Sequence, residues 1–447
     1  MRYTQLTEPD VRTMLGTIGA GSVDDLFSVI PDEQKLNRAL DLPAGLSEME
    51  LLADLERLAG ANADCTSQVC FLGAGSYDHF IPTVVDALAA QGSFLTGYTP
   101  YQAEASQGSL QAFYEFQTLI CQLTGLDVAN ASLYEGASAA AEAVLMARNV
   151  TGRNKIVVSG AVSPETLAVL RTYIGRLAVE LVVCPADAGV TDMDALSSMV
   201  DGDTAAVVVQ SPNFFGCVER VDAASASAKQ AGALSVAIFD PIACALLKPP
   251  GLLGADVAVG EGQSLGNPMN LGGPYLGLMA VRQKYMRKMP GRLVGMTQDA
   301  VGRRAYCLTL QTREQHIRRE KATSNVCTNQ GLLAIRSVIY MSLMGRLGMK
   351  KAASLCVDGA HYAAERIASL PGFAQRFEAP FFKEFVVRTD RDVDRVLSHC
   401  RERGILAGVP LGQWYEEMAD CFLVAVTEKR TKEQLDALIE ALATSPK

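Results

Sequence analysis

Residues 255–274 read ADVAVGEGQSLGNPMNLGGP, and residues 238–241 shortly before them read IFDP. Val257, Ala258 and Val259 make a short apolar strand that runs into a glycine-rich turn, and Asp240 closes the strand before it. A strand, a lone aspartate, a second strand and a glycine-rich turn form the layout on which one large enzyme class mounts a cofactor-binding lysine. Here Gln263 and Ser264 stand at that place, and no lysine occurs between Lys248 and Lys284. The frame is present and the nucleophile is not.

Outward from this stretch, apolar runs recur between helical segments: KIVVS (155–159), LAVELVVCP (177–185), AAVVVQSP (205–212) and SVAIFDP (235–241). Continuous Val/Ile runs separated by helices mark a mainly parallel sheet covered on both faces. Residues 66–310 are therefore read as a large α/β domain. Upstream, residues 1–65 read as a helical arm: Ser47 and Glu50 make a capping box ahead of MELLADLERLA, and Ser22 is an N-cap for VDDLF. Downstream, residues 311–447 read as a smaller α+β domain. TREQHIRREKATSN (312–325) and GLLAIRSVIYMSLMGRLG (331–348) are its long helices, FFKEFVVRT and CFLVAVT its strands, and Thr431 with Gln434 caps its last helix.

Bulk properties exclude several classes. A net charge of −9, with no basic stripe, gives nucleic acid no electrostatic footing. The greasiest region, AGALSVAIFDPIACALLKPP, is interrupted by Asp240 and prolines before it could span a bilayer, and MRYTQLTEPD lacks the apolar stretch of a secretory signal. Eleven scattered cysteines without a C-x-x-C pair suit reduced thiols in a cytosol, and four separated histidines offer no metal motif. The chain is expected to be cytoplasmic, with no membrane and no nucleic-acid partner.

Four features can carry chemistry. FLGAGSYDHF (71–80) begins like a dinucleotide fingerprint, but Asp78 stands where the third glycine belongs, and a tight structural turn is the simpler reading. In YEGASAAAEA, Gly136 and Ser138 open a helix whose free N–H groups and dipole could hold a phosphate; small residues there could equally serve close packing on the sheet. Asn213 in QSPNFFG and Asp240 in IFDP end strands at the carboxyl edge where open α/β sheets bind ligands. Asp240 could hold a protonated ring nitrogen or cap a turn. The order helix start, Asn, Asp matches the pyridoxal-phosphate aminotransferase fold (fold type I). Arg313, Arg318, Arg319 and Lys321 form a basic run in an acidic chain, a solvated helix face or a docking place for an acidic partner.

Three long strings carry a closer resemblance: YTPYQAEASQGSLQAFYEFQTLICQLTGLDVANASLYEGASAAAEA (98–143), GEGQSLGNPMNLGGPYLG (260–277) and LQTREQHIRREKATSNVCTNQ (310–330). They resemble the glycine cleavage system P-protein family, glycine dehydrogenase (decarboxylating), over essentially the whole chain. Length and the missing lysine are similar to the lysine-free half of its two-chain bacterial form. The resemblance implies a companion chain that bears the Schiff-base lysine and pyridoxal phosphate, an α2β2 assembly, glycine as substrate and a lipoylated H-protein as acceptor. It implies that this chain has no catalytic residue of its own, only a vestigial pocket at Gly136, Ser138, Asn213 and Asp240. No cofactor is expected bound covalently to this chain. Tyr98 and Tyr101, bracketing Thr99 and Pro100, offer rigid rings with hydroxyl tips that could line the partner's site, or pack at an interface. A pure scaffold, and a self-sufficient enzyme using a dinucleotide, are the competing readings.

Overall fold

The computed structural model describes residues 5–446 apart from Thr96, Thr99, Leu271 and Thr323. The chain divides into two units, Met1–Ala63 and Asp64–Lys447. In the first, helices Glu8–Ile18 and Glu48–Ala59 each start at a capping box, Thr7 with Asp10 and Ser47 with Glu50. Ser22 bonds Asp25 in the expected way, but only a 3₁₀ turn, Asp24–Phe27, follows. None of these elements buries a residue.

In the second unit, β1 (Val69–Cys70) and β2 (Val128–Ala129) precede the helix Gly136–Thr151. The apolar runs then form β3 (Lys155–Ser159), β4 (Glu180–Cys184), β5 (Thr204–Ser211), β6 (Leu234–Phe239) and β7 (Val257–Glu261), followed by β8 (Gly277–Val281). The sheet order is β2-β8-β7-β6-β5-β3-β4; β3 to β7 are parallel and β8 is antiparallel to β7. Strand order reverses between β3 and β5, so the crevice beyond their carboxyl ends is the natural ligand position. Alanines 139, 140, 141, 143 and 147 let the Gly136 helix lie close on Val158, Val208, Val236 and Val259.

A hairpin, β9 (Leu293–Gln298) and β10 (Arg304–Thr309), stands apart from this sheet. The basic run does not form the long helix its pattern suggests. Short turns at Gln311–Arg313, Gln315–Arg318 and Arg319–Lys321 replace it, broken where Arg319 takes φ 53°. The helix Gly331–Ala368 is longer than expected and kinks at Gly345, where φ is 55°. Part of it is apolar enough to cross a membrane, but its side chains supply the main core (Ala334 to Cys356) and the C-terminal core (Ala360 to Ile367).

β11 (Phe373–Gln375), β12 (Glu384–Thr389), β14 (Val409–Pro410) and β15 (Cys421–Ala425) make an antiparallel sheet, while β13 (Ile405–Leu406) pairs in parallel with β1. The strand in VCFLGAG thus belongs with the C-terminal segment, and the turn after it reaches the crevice. Gly73 is required there: a Cβ would lie 2.2 Å from Glu384 Oε1.

Candidate functional site

At the carboxyl end of β7, the chain turns so that Glu261 meets the start of the Gly136 helix. Its Oε2 accepts from Gly136 N at 2.9 Å, and its Oε1 accepts from Gln263 N and Leu276 N, both at 2.9 Å. A Cβ on Gly136 would come within 3.0 Å of Glu261, so glycine is what admits the carboxylate. One residue earlier, Glu135 caps the same helix, accepting from Ser138 N at 2.6 Å. The groups that would hold a phosphate thus already hold two carboxylates. Burial pushes Glu261 up to about 7, against the pull of its three N–H donors and with a further push from Glu135.

β6 delivers Asp240. Its Oδ1 caps the following turn through Ile242 N and Ala243 N at 2.7 and 3.2 Å, and its Oδ2 takes the ammonium of Lys383 at 2.6 Å. Burial works to raise the Asp240 carboxyl, yet the Lys383 charge and hydrogen bond hold it below its ordinary value. Lys383, 1% exposed, rests 3.5 Å above the Tyr77 ring and donates to His79 Nε2 at 3.0 Å. That fixes Nε2 as an acceptor, so Nδ1 carries the proton bonded to Glu428 at 2.6 Å. Burial would lift Glu428 too, but His79 and the Phe80 N–H bring it down to about 2.

In the turn after β7, Gln263 is 2% exposed. Its amide accepts from Tyr77 N at 3.0 Å and donates to Tyr77 O and Asn267 O at 3.1 and 2.8 Å. Ser264 is buried beside it. Next to Lys383, Glu384 accepts from Ala74 N and the Tyr77 hydroxyl, each at 2.8 Å, and burial raises it to about 7. Tyr77, Asp240, Glu261, Gln263, Ser264, Lys383 and Glu384 line one cavity of about 520 Å³ that also takes in Trp414 and Gln413.

The cavity brings together Gly136, Asp240, Gln263 and Ser264. Asn213 is not part of it: its buried amide organises the neighbouring turn through Gly189 O, Glu219, Phe215 N and Cys217 N. Ser138 lies one step into the helix, its N–H already used by Glu135. The turn at 71–80 binds carboxylates from its own chain, Glu384 at Ala74 and Glu428 at Phe80, which supports the structural reading of the glycines. Sequence reasoning passed over Lys383, Glu384 and His79. The only signal for Lys383 and Glu384 was their adjacency inside the aromatic run FFKEF, and His79 in SYDHF had none.

Tyr98 is 97% exposed, whereas Thr99 falls outside the described residues. Tyr101 donates its hydroxyl to Asn329 and carries the Arg292 guanidinium 3.9 Å above its ring. Of the basic run, Arg318, Arg319 and Lys321 are exposed. Arg313 is half-buried and clamps the backbone carbonyls of Met289, Gly291 and Leu310.

A doubly wound sheet with a capped crevice at its switch point and a C-terminal α+β sheet closing over it is the fold of the fold type I class of pyridoxal-phosphate proteins. A sphingosine-1-phosphate lyase from Burkholderia pseudomallei shares this fold at 16% identity, with a TM-score of 0.66 over 92% of this chain and 94% of that one. The chain belongs to the glycine cleavage system P-protein family, which matches residues 1–442. Relatives named probable glycine dehydrogenase (decarboxylating) subunit 1 are 50% identical in Chlorobaculum tepidum and 51% in Prosthecochloris aestuarii, each over 99% of both chains. A crystal structure of glycine decarboxylase (P-protein) of the glycine cleavage system, in inhibitor-bound form, matches with a TM-score of 0.92 and 44% identity over 99% of both chains.

The residues in this chain's cavity do not fit pyridoxal phosphate. No lysine amine stands at 263–264, two carboxylates occupy the phosphate end, and the aspartate for a ring nitrogen is neutralised by Lys383. The Lys383 nitrogen is itself held between Asp240 Oδ2 at 2.6 Å and His79 Nε2 at 3.0 Å.

Proposed function

We propose that this chain is the lysine-free subunit of a glycine cleavage P-protein, cytoplasmic and assembled as α2β2 with a homologous subunit that bears the Schiff-base lysine and pyridoxal phosphate. The assembly decarboxylates glycine and passes the aminomethyl group to the lipoyl group of the H-protein. This chain alone is inactive. The observation that carries the reading is the self-filled cavity. Glu261 and Glu135 stand where the cofactor's phosphate would lie, and the Lys383 ammonium stands where its protonated ring nitrogen would meet Asp240. A chain that satisfies its own pocket in this way keeps the fold while the chemistry resides in its partner.

The contribution of this chain to the partner's site is assigned to the Tyr98–Tyr101 loop. The exposed Tyr98 has a free outer face, and the Tyr101 ring is fixed by Arg292 and Asn329. The test is co-purification with the lysine-bearing subunit, then glycine decarboxylation by complexes carrying Tyr98→Phe or Tyr101→Phe. Loss of a hydroxyl bonded to a bound charged group slows turnover by about tenfold or more while assembly is kept. Both variants turning over glycine like the parent would reduce this chain to a scaffold.

A further inference from the structure

Although many polar groups in the crevice satisfy one another, a cavity of about 520 Å³ remains. Its walls carry five carboxylates, Glu135, Glu165, Asp240, Glu261 and Glu384, against a single cation, Lys383. Lys383 is engaged by Asp240 at 2.6 Å, and among the described residues none of the other four carboxylates forms an ion pair. A cleft lined by one sign of charge concentrates ions of the other. Two hydroxyls on the same walls are unused. Ser264, 4% exposed, and Thr166, 9% exposed, line the cavity, and among the described residues neither side chain makes a hydrogen bond. Neither oxygen belongs to the sealed, unpaired atoms of the fold, so both stay open to the cavity. Side chains this deeply placed are rarely left without a partner. Much of the remaining wall is apolar or aromatic: Ile238, Phe239, Phe382 and Val409, with the half-buried rings of Tyr275 and Trp414.

We propose that this cavity binds an organic monoamine as its cation, with the ammonium toward Ser264 and the unpaired carboxylates and an apolar body against Phe239, Phe382 and Trp414. The charges select that class. An anion would enter a field of its own sign, and glycine would carry its own carboxylate into that field. A metal ion needs ligand atoms that converge on one point, and the described carboxylates of this cavity do not form such a group. An ammonium can donate to a hydroxyl and a carboxylate together, and an aromatic wall favours a cation that brings apolar surface with it. The cavity lies wholly within this chain, so its occupancy is read without the lysine-bearing subunit, and a null result leaves the P-protein assignment standing.

The experiment follows Trp414 fluorescence of the full chain during titration with phenethylamine, phenethyl alcohol and phenylacetate, which nearly share one shape and differ in charge. Phenethylamine is expected to bind saturably, with the alcohol and the acid about tenfold weaker or more. Ser264→Ala removes a hydroxyl that bonds nothing else in the chain, so it is expected to keep the urea midpoint and weaken phenethylamine about fivefold. Glu384→Gln, which can still accept from Ala74 N, is expected to shrink the preference for the amine over the alcohol. Glu261 and Glu384 both stand at about 7; Glu135 faces the first, and Lys383, Asp240 and Tyr77 face the second. A bound cation favours their ionised forms, so phenethylamine is expected to bind about tenfold tighter at pH 8 than at pH 6. Equal binding of the three probes, unchanged affinity in Ser264→Ala, affinity independent of pH, or no saturable quenching by phenethylamine at millimolar concentration would each overturn the proposal.

Discussion

Replacing Glu261 by alanine tests whether a carboxylate closes the phosphate end of the crevice. The substitution strips acceptors from three N–H groups, those of Gly136, Gln263 and Leu276. Hydrogen bonds to a charged group are worth about 1.5–3 kcal/mol each. The full sum does not apply, because the cavity is roomy enough for water to replace part of the lost bonding, and because a buried carboxyl raised to about 7 already bears a burial cost that the variant sheds. A net loss of about 2–3 kcal/mol is expected. The freed helix start should then accept an anion that the parent rejects. At ten times its dissociation constant, inorganic phosphate should return about 1.4 kcal/mol by mass action. Trp414, the chain's single tryptophan, lines the cavity and reports occupancy. Quenching by pyridoxine phosphate, which has no aldehyde to react with surface lysines, would be read beside urea unfolding with and without phosphate. If the unmodified chain is quenched and stabilised by these ligands as strongly as the variant, Glu261 does not close the site and the reasoning fails.

Lys383→Met leaves Asp240 buried without its cation and should cost about 3–5 kcal/mol in urea unfolding. The double variant with Asp240→Asn should recover much of that loss, and additive losses would argue that the two charges are not paired. Glu384 is raised from 4.5 to about 7, so the folded chain holds a proton that the unfolded chain releases between those values. Its stabilising share is complete below pH 4.5, falls as pH rises towards 7 and is level above, amounting to about 3 kcal/mol at most. Glu384→Gln can still accept from Ala74 N and should flatten that part of the pH–stability curve, leaving the share from Glu261 and Glu142, which rise to about 7 as well. The arm exposes Leu6, Met14, Ile18, Leu51, Leu55 and Leu58, so the isolated chain is expected to self-associate and to melt higher when the lysine-bearing subunit is added. A stable monomer whose melting ignores that subunit would contradict this.

The absence of lysine at 263–264, the parallel sheet and the strand-end position of Asp240 were all legible in the sequence. Each depends on a local pattern: β3, β5, β6 and β7 are continuous runs of apolar residues, and such runs between helices admit few other packings. The capping boxes at Ser47 and Thr431 were legible for the same reason, since both partners lie within one turn. Where local pattern met a competing demand, it misled. Glu314 and Arg318 have helical spacing, but Arg313 is drawn inward onto the carbonyls of Met289 and Gly291, and the backbone breaks at Arg319. Asn213 has the position of a ligand residue, yet the backbone and Glu219 around it consume its amide. How the charges around this crevice are satisfied was decided only in three dimensions. Lys383 reaches Asp240 from the residue just before β12, in another sheet, His79 and Glu428 are joined through it, and Glu261 meets Gly136 because the helix start lies against the end of β7. Sequence names the charges; which of them neutralise each other inside a low-dielectric crevice is set by long-range packing, where a few ångströms decide between a ligand site and a closed ion pair.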